Sequence, residues 1–202
     1  MRYTKDHKQE TRDRVVKIAA KMLREKGPDG VGVAEVMREA NLTHGGFYAH
    51  FPSKDAFLAE SLNEILAQGA DKRRLLTEGL PPRTALEAFI EYYVSPAHRD
   101  HPGNGCPMVA LNSELPRQSK KFRNAFDAGV QRLTDWLAQL MRASGIPDSQ
   151  AHASATLSAM VGAVALSRAV SDRELSDAML KSAKDGIKAQ LGLASHAKVC
   201  DE

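Results

Sequence analysis

The sequence predicts an all-α fold: an N-terminal three-helix head in a helix-turn-helix arrangement, then a C-terminal bundle of longer helices. Three observations predict it. Ala, Leu, Lys, Arg and Glu dominate a chain of 202 residues that is 43% hydrophobic and only 5% aromatic, a mixture that favours helices. Apolar residues recur at i, i+3, i+4 and i+7 in one segment after another, and no stretch of useful length alternates as a strand would. Gly and Pro clusters separate these segments at helical lengths.

The elements follow in chain order. Thr11 to Glu25 reads as a helix, with Val15, Ile18, Ala19 and Met22 on one face and Lys and Arg on the other. Gly27-Pro28-Asp29-Gly30 ends it with strong breakers. A short helix spans 33–40, opened by Gly32, a weaker N-cap than Ser or Asp. Asn41-Leu42 makes the turn: Asn tolerates the left-handed conformation, and Leu42 plugs the corner. Thr43 is expected to cap a third helix over 44–50. Phe47 and Phe51, four apart, face inward there, while Thr43, His44, Tyr48 and Lys54 face outward. Ser53 caps a fourth helix, Asp55 suits its N-terminal dipole, and Phe57, Leu58, Leu62, Ile65 and Leu66 form its apolar stripe.

Beyond residue 70 the spacing predicts helices over 83–95, 107–115, 119–143, 148–170 and 173–191, separated by proline- and glycine-bearing breaks. Residues 96–105 (PAHRDHPGNG) form the most irregular segment and read as a loop. Gly129 and Gly162 fall inside predicted helices. Each costs a helix about 1 kcal/mol relative to Ala, and close helix packing is the expected reason.

Charge is unevenly placed. Residues 1–54 hold eleven Lys or Arg against seven Asp or Glu, a net +4, so the remainder carries −1 of the chain's +3. That concentration suits a phosphate-facing surface and equally suits a solvated basic helix face. The charged N-terminus (MRYTKDHKQETRDR) has no apolar core of a signal peptide. The longest apolar stretch, Leu157 to Val170, is shorter than the ~18 residues of a membrane span, so no membrane partner is expected. Cys106 and Cys200 lie far apart and make no CxxC pair, which fits a reducing cytoplasm. No G-x-S-x-G, P-loop, HExxH or strand-borne G-x-G-x-x-G is present, so no enzyme is expected. His98, Asp100, His101 and Cys106 match no familiar metal spacing, and neither metal nor cofactor is expected.

Helix, tight turn and second helix together make a unit whose second helix enters the major groove. The run LTHGGFYAHFPSKDAFL resembles the recognition signature of the TetR family, roughly V-S-x-G-T-L-Y-x-H-F-x-S-K-E-x-L. The match holds in register at Leu42, Thr43, Gly45, Phe47, Tyr48, His50, Phe51, Ser53, Lys54 and Asp55, with Leu58 one place beyond the pattern's last position. Close resemblance covers about residues 10–60; the rest is similar in layout only. The resemblance implies a homodimeric transcriptional repressor that binds a double-stranded operator and is released by a small-molecule inducer. It divides the chain into a DNA-binding domain, 1–54, and an effector-binding and dimerisation domain, 55–202. Thr43, Tyr48, His50 and Lys54 then stand as phosphate-contacting or positioning residues, and His44 with the Gly45-Gly46 backbone as base-edge contacts. Two departures matter. Gly46 replaces the usual Ser or Thr, and Gly32-Val33 replaces a phosphate-binding Thr.

The same resemblance implies pairing of two copies through helices 148–170 and 173–191. The first is rich in small residues, among them Ala155, Ala159, Gly162 and Ala163, which permit close approach; its stripe also suits a protomer's own core. Candidate effector contacts are Phe89, Tyr92, Tyr93, Cys106, Met108, Phe126, Trp136 and Met160, any of which also reads as plain core. Cys106 opens GCPMVALNSEL, which resembles a cysteine-bearing branch that senses electrophiles or oxidants. A thiol at a helix N-terminus is activated by the dipole; the competing reading is a buried structural thiol. A redox or alkylation switch at Cys106 is therefore one alternative function. A helical small-molecule binder or enzyme that no longer reads DNA is the other.

Overall fold

The structure, a computed structural model, describes residues 5–193; Cys200 lies outside them. Nine α-helices are present among the described residues, and no strand: α1 (Lys5–Gly30), α2 (Val33–Glu39), α3 (Lys54–Thr77), α4 (Pro82–Tyr93), α5 (Pro96–Asp100), α6 (Pro107–Leu111), α7 (Lys120–Ala143), α8 (Ser149–Ala169) and α9 (Arg173–Gln190). A six-residue 3-10 helix, η1 (His44–Ala49), stands between α2 and α3, and shorter 3-10 turns cover Pro102–Asn104 and Leu115–Arg117.

The helices divide into two compact units that do not follow chain order. The first comprises residues up to Lys72 together with His101–Gln131; the second comprises Arg73–Asp100 and the residues from Arg132 onward. The expected boundary between residues 54 and 55 falls inside the first unit, one residue into α3.

In the first unit, α1 is longer than its apolar pattern indicated and kinks at Gly27, whose φ of 71° is left-handed. A side chain at that position would also strike the Glu114 carboxylate. Asn41 adopts the left-handed conformation expected of the turn, with φ 58°, and Leu42 packs half-buried against the core. That core joins Val15, Ala19, Leu23, Met37, Phe47, Phe51, Phe57 and Leu62 to Leu111, Leu115 and Phe122 from far along the chain. The head is therefore too small to close its own core and recruits later residues to do it. Gly129 meets the expectation of close packing: a Cβ there would lie 2.5 Å from Leu66 Cδ2. Gly162 does not, since a Cβ there meets nothing within 4 Å.

The second unit is built from α4, α5, α8, α9 and the later part of α7. Its buried apolar residues include Leu86, Ile90, Val94, Leu137, Met141, Val164, Leu180 and Ile187. Asp172 caps α9, accepting from the backbone N–H groups of Glu174 (2.9 Å) and Leu175 (3.2 Å), as an N-cap carboxylate should.

The segment 96–105, read as a loop from its composition, is ordered instead as α5 and the turn Pro102–Asn104. An ion-pair network around the buried Arg99 side chain holds α5. The Arg99 side chain, 3% exposed, pairs with Asp100 (2.7 Å) and Asp177 (2.6 Å) and donates to Ser176 Oγ (2.6 Å). Arg173 closes on Asp100 from the far side (2.7 Å). Arg168 on α8 donates to the carbonyls of His98 (2.6 Å) and Arg99 (2.9 Å). Arg99, followed by Arg173, holds the Asp100 carboxyl well below the usual carboxylate range. A guanidinium out of water is tolerable only with such partners, and apart from the adjacent Asp100 they lie far along the sequence, Ser176 and Asp177 being 77 and 78 residues on.

Candidate functional site

The seven residues singled out for DNA contact, Thr43, His44, Gly45, Gly46, Tyr48, His50 and Lys54, surround η1 and the first turn of α3. Thr43, His44, Gly45, Tyr48 and Lys54 are exposed, whereas Gly46 and His50 are half-buried. Tyr48 is 71% exposed, far more than a packing role would leave. What presents this face is aromatic. Phe47, Phe51 and Phe57 are buried and form a triad with ring centroids 5.3 Å (47–51), 5.3 Å (47–57) and 4.7 Å (51–57) apart, within the range of favourable ring pairs. Tyr48 stands edge-on to Phe47 at 5.2 Å.

The element carrying these residues differs from the α-helix expected over 44–50. It is a 3-10 helix, and Thr43 gives it no side-chain cap. Only the Thr43 carbonyl is used, accepting from the Gly46 N–H at 3.0 Å. Two consecutive glycines at the start disfavour a longer α-helical run. The hydroxyl expected to cap is therefore left on the exposed face. A six-residue element also has little macrodipole, so the anion-attracting helix start belongs instead to α3. There Ser53 Oγ accepts from Ala56 N at 3.1 Å, as predicted, and Lys54 is the first helical residue.

His50 is less open than a simple phosphate contact requires. Its Nδ1 is buried with no hydrogen-bond partner, and its ring lies 6.3 Å from that of Phe51. Burial pulls the imidazole pKa below its ordinary value, and the charges of Lys8 and Arg12 push the same way. Both effects favour the neutral imidazole over the imidazolium.

Two residues at this site escaped the sequence reading. Arg12 on α1 donates Nε to Glu60 Oε1 (2.8 Å) and Nη2 to Glu60 Oε2 (2.5 Å), donates Nη1 to the His50 carbonyl, and lies over the Phe51 ring at 4.4 Å. By periodicity alone Arg12 is one of several cations on the polar face of α1. Only the fold brings it to a partner 48 residues away.

The eight candidate effector contacts do not gather within either unit. Phe89, Tyr92, Tyr93, Trp136 and Met160 belong to the second. There Phe89 meets Trp136 at 4.8 Å and Tyr93 at 5.6 Å, Tyr92 stacks on His98 at 6.1 Å, and Met160 is fully buried. His98 Nδ1 donates to the Tyr93 carbonyl at 2.7 Å, which fixes the ring among these aromatics. Cys106, Met108 and Phe126 belong to the first unit. Met108 is buried, and Phe126 packs against the head core. Cys106 is half-buried at the N-cap of α6, and α6 packs on α1. With five residues, α6 supplies only one turn of the dipole that the sequence reading invoked. Among the described residues no three His, Cys, Asp or Glu side chains come together as a metal site would need, and no helix is long and apolar enough to cross a membrane.

Comparison with known proteins adds to this geometry. Residues 15–61 match the family model of bacterial regulatory proteins of the tetR family. Residues 82–181 match the C-terminal domain of LmrA/YxaF-like transcriptional regulators. The HTH-type transcriptional regulator Rv0196 of Mycobacterium tuberculosis is 27% identical over 188 residues, 89% of this chain and 95% of that protein. The HTH-type transcriptional repressor NemR of Escherichia coli K12 is 26% identical, over 65% of this chain and 67% of its own length. In three dimensions the chain resembles the reduced form of E. coli NemR, with a TM-score of 0.78 at 22% identity, covering 89% of this chain and 96% of that one.

Proposed function

Because the chain belongs to the TetR family, as a DNA-binding transcriptional regulator and not an enzyme, we propose that it is a homodimeric, cytoplasmic repressor released from its operator by a small-molecule inducer. Residues 43–54 make the DNA contacts in this reading. One observation carries it: the buried Phe47–Phe51–Phe57 triad holds a face on which Thr43, His44, Tyr48 and Lys54 are all exposed. Thr43, Tyr48 and Lys54 supply phosphate donors, and His44 with the Gly45-Gly46 backbone meets base edges. His50, half-buried, positions the element. Family membership sets aside the alternative of a helical binder without DNA contact.

Pairing of two copies is supported by α8 and α9. Ala155, Ala159 and Leu166 on α8, and Leu175 and Ala178 on α9, are exposed, with Leu166 at 56% and Leu175 at 50%. Gly162 and Gly186 lie on the same two helices with open space over them. Small residues around two exposed leucines suit a close helix-to-helix contact. Two heads joined this way read half-sites about 34–36 Å apart. The inducer acts by binding the conformation that does not hold DNA more tightly than the one that does. Its contacts lie among Phe89, Tyr92, Tyr93, Trp136 and Met160 of the second unit.

A selection from random duplexes at low salt, followed by affinity against salt, tests the reading. The expected result is a near-palindromic site and log K falling steeply with log salt; a flat slope would overturn it. An inducer is then recognised as a compound that raises the melting temperature while lowering operator affinity.

A second trigger is supported by Cys106. Half-buried Cys106 stands at the N-cap position of α6, which packs on the head helix α1, and the similar NemR structure is of a reduced form. In this version the thiolate adds to an electron-poor C=C bond. The S–C bond forms as the π bond breaks, and solvent protonates the neighbouring carbon. Cys106→Ser is expected to keep operator binding and lose release by a quinone or N-ethylmaleimide. Unchanged release in that variant would remove the covalent trigger and leave reversible binding.

A further inference from the structure

We propose that Arg12 on α1 is the positioning residue that sets the pose of η1 on the head, and through it the selectivity of the protein for its operator. The proposal rests on the reading that η1 meets DNA. Three elements converge on this one guanidinium. On α3 it holds the Glu60 carboxylate with two parallel bonds, 2.8 and 2.5 Å. On η1 it donates to the carbonyl of His50, the C-cap residue. Its plane lies over Phe51, 4.4 Å from the ring centroid.

The need for such a fastening follows from η1 itself. Carbonyls at a helix C-terminus have no intrahelical partner, so a donor held there supplies one. The element is only six residues long, begins with His-Gly-Gly and has no side-chain cap at its start. Its own hydrogen bonds therefore define its tilt weakly. Phe47 and Phe51 fix the inner face; Arg12 fixes the end.

Arg12 is not itself placed as a phosphate contact. Glu60 neutralises it, its Nε, Nη1 and Nη2 each carry a bond inside the protein, and its side chain is 28% exposed. It acts through the His50 carbonyl. A lysine cannot substitute, because a single ammonium cannot fork onto a carboxylate, reach a separate carbonyl and stack on a ring at once. Losing the fastening lets η1 tilt, which displaces His44 and Gly45 from base edges. In the lysine variant the charge that draws the head to any duplex is left in place.

The test compares Arg12→Ala, Arg12→Lys and Glu60→Gln in the full chain. Each is titrated with the selected operator and with a scrambled duplex across a salt series. Arg12→Ala and Arg12→Lys are expected to lose about tenfold or more on the operator, the order of one mismatched base pair. Scrambled-duplex affinity and salt slope are expected to stay unchanged in Arg12→Lys, which keeps the charge, and Glu60→Gln to lose on the operator relative to the scrambled duplex. The double variant Arg12→Ala/Glu60→Gln is expected to be no worse than Arg12→Ala. Equal loss on both duplexes with a slope smaller by about one would make Arg12 a phosphate contact and overturn the proposal. So would wild-type operator affinity in Arg12→Ala, or tighter binding in Glu60→Gln. Should circular dichroism show Arg12→Ala unfolded, Arg12→Lys and Glu60→Gln carry the same readouts. Absence of salt-dependent DNA binding in the wild type would overturn the DNA reading of η1, and this proposal with it; the other outcomes bear on Arg12 alone.

Discussion

Leu66 fills the space that any side chain at position 129 would need: a Cβ on Gly129 falls 2.5 Å from Leu66 Cδ2 and 2.8 Å from Cδ1. Gly129→Ala gains about 1 kcal/mol in helix propensity but forces Leu66 out of place, at about 1–3 kcal/mol. The expected net is destabilisation by about 1 kcal/mol, seen as a lower denaturant midpoint at constant m. A variant as stable as wild type would mean that Leu66 swings aside freely.

Leu166 is 56% exposed on α8, a large apolar side chain to leave in water unless a second copy covers it. Leu166→Glu is expected to shift the dimer toward monomer in sedimentation, to keep helix content unchanged, and to lower operator affinity because paired half-sites are lost. An undisturbed dimer would place the contact elsewhere.

Asp100 is held well below the usual carboxylate range by Arg99 and then Arg173. Its folded pKa is depressed, so its contribution to stability is present above the unfolded value, about 4, and is lost only as pH falls further, through the folded pKa. Asp100→Asn leaves Arg99 with Asp177 and Ser176, and Asp100 is itself a third exposed. The expected loss is about 1–2 kcal/mol, less than for stripping a buried charge of every partner. The gap between variant and wild type should stay level from pH 7 to about 5 and narrow only in stronger acid. A gap that already narrowed between pH 7 and 5 would contradict this assignment.

Lys54 and His44 test the division of labour on the exposed face. Lys54→Ala is expected to weaken binding to all duplexes alike and to reduce the salt slope by about 1. His44→Ala is expected to change sequence preference, by about 1–3 kcal/mol at the affected base pair. Selections from the two variants settle the matter: the same loss of discrimination in both would contradict these roles.

The parts of this molecule that were legible in the sequence are those governed by near neighbours. Asn41 announced a left-handed turn, Ser53 a cap, and Phe47 and Phe51 a buried pair four residues apart; each depends on a few adjacent positions. Thr43 and η1 were misread because the His-Gly-Gly start weakens an α-helix in a way that apolar spacing does not register. Residues 96–105 were misread for the opposite reason. Their composition is that of a loop, and what holds α5 within them is Arg99 meeting Ser176 and Asp177, 77 and 78 residues on. Arg12 was invisible for the same cause, since its partners His50 and Glu60 lie 38 and 48 residues away. The split into head and body at residue 54 followed the motif. The compact units follow core packing, in which Leu111, Leu115 and Phe122 close over the head.

Gly45 has a consequence for how this regulator can change. It is exposed, and a Cβ added there meets nothing within 4 Å. Most positions beside a protein's specificity determinants are constrained by the architecture behind them; this one is not. A duplicated gene can acquire a new side chain at position 45 through a single codon change, without a compensating repair in the core. With η1 on DNA as proposed, divergence of target choice between daughter copies is thereby uncoupled from the maintenance of the fold.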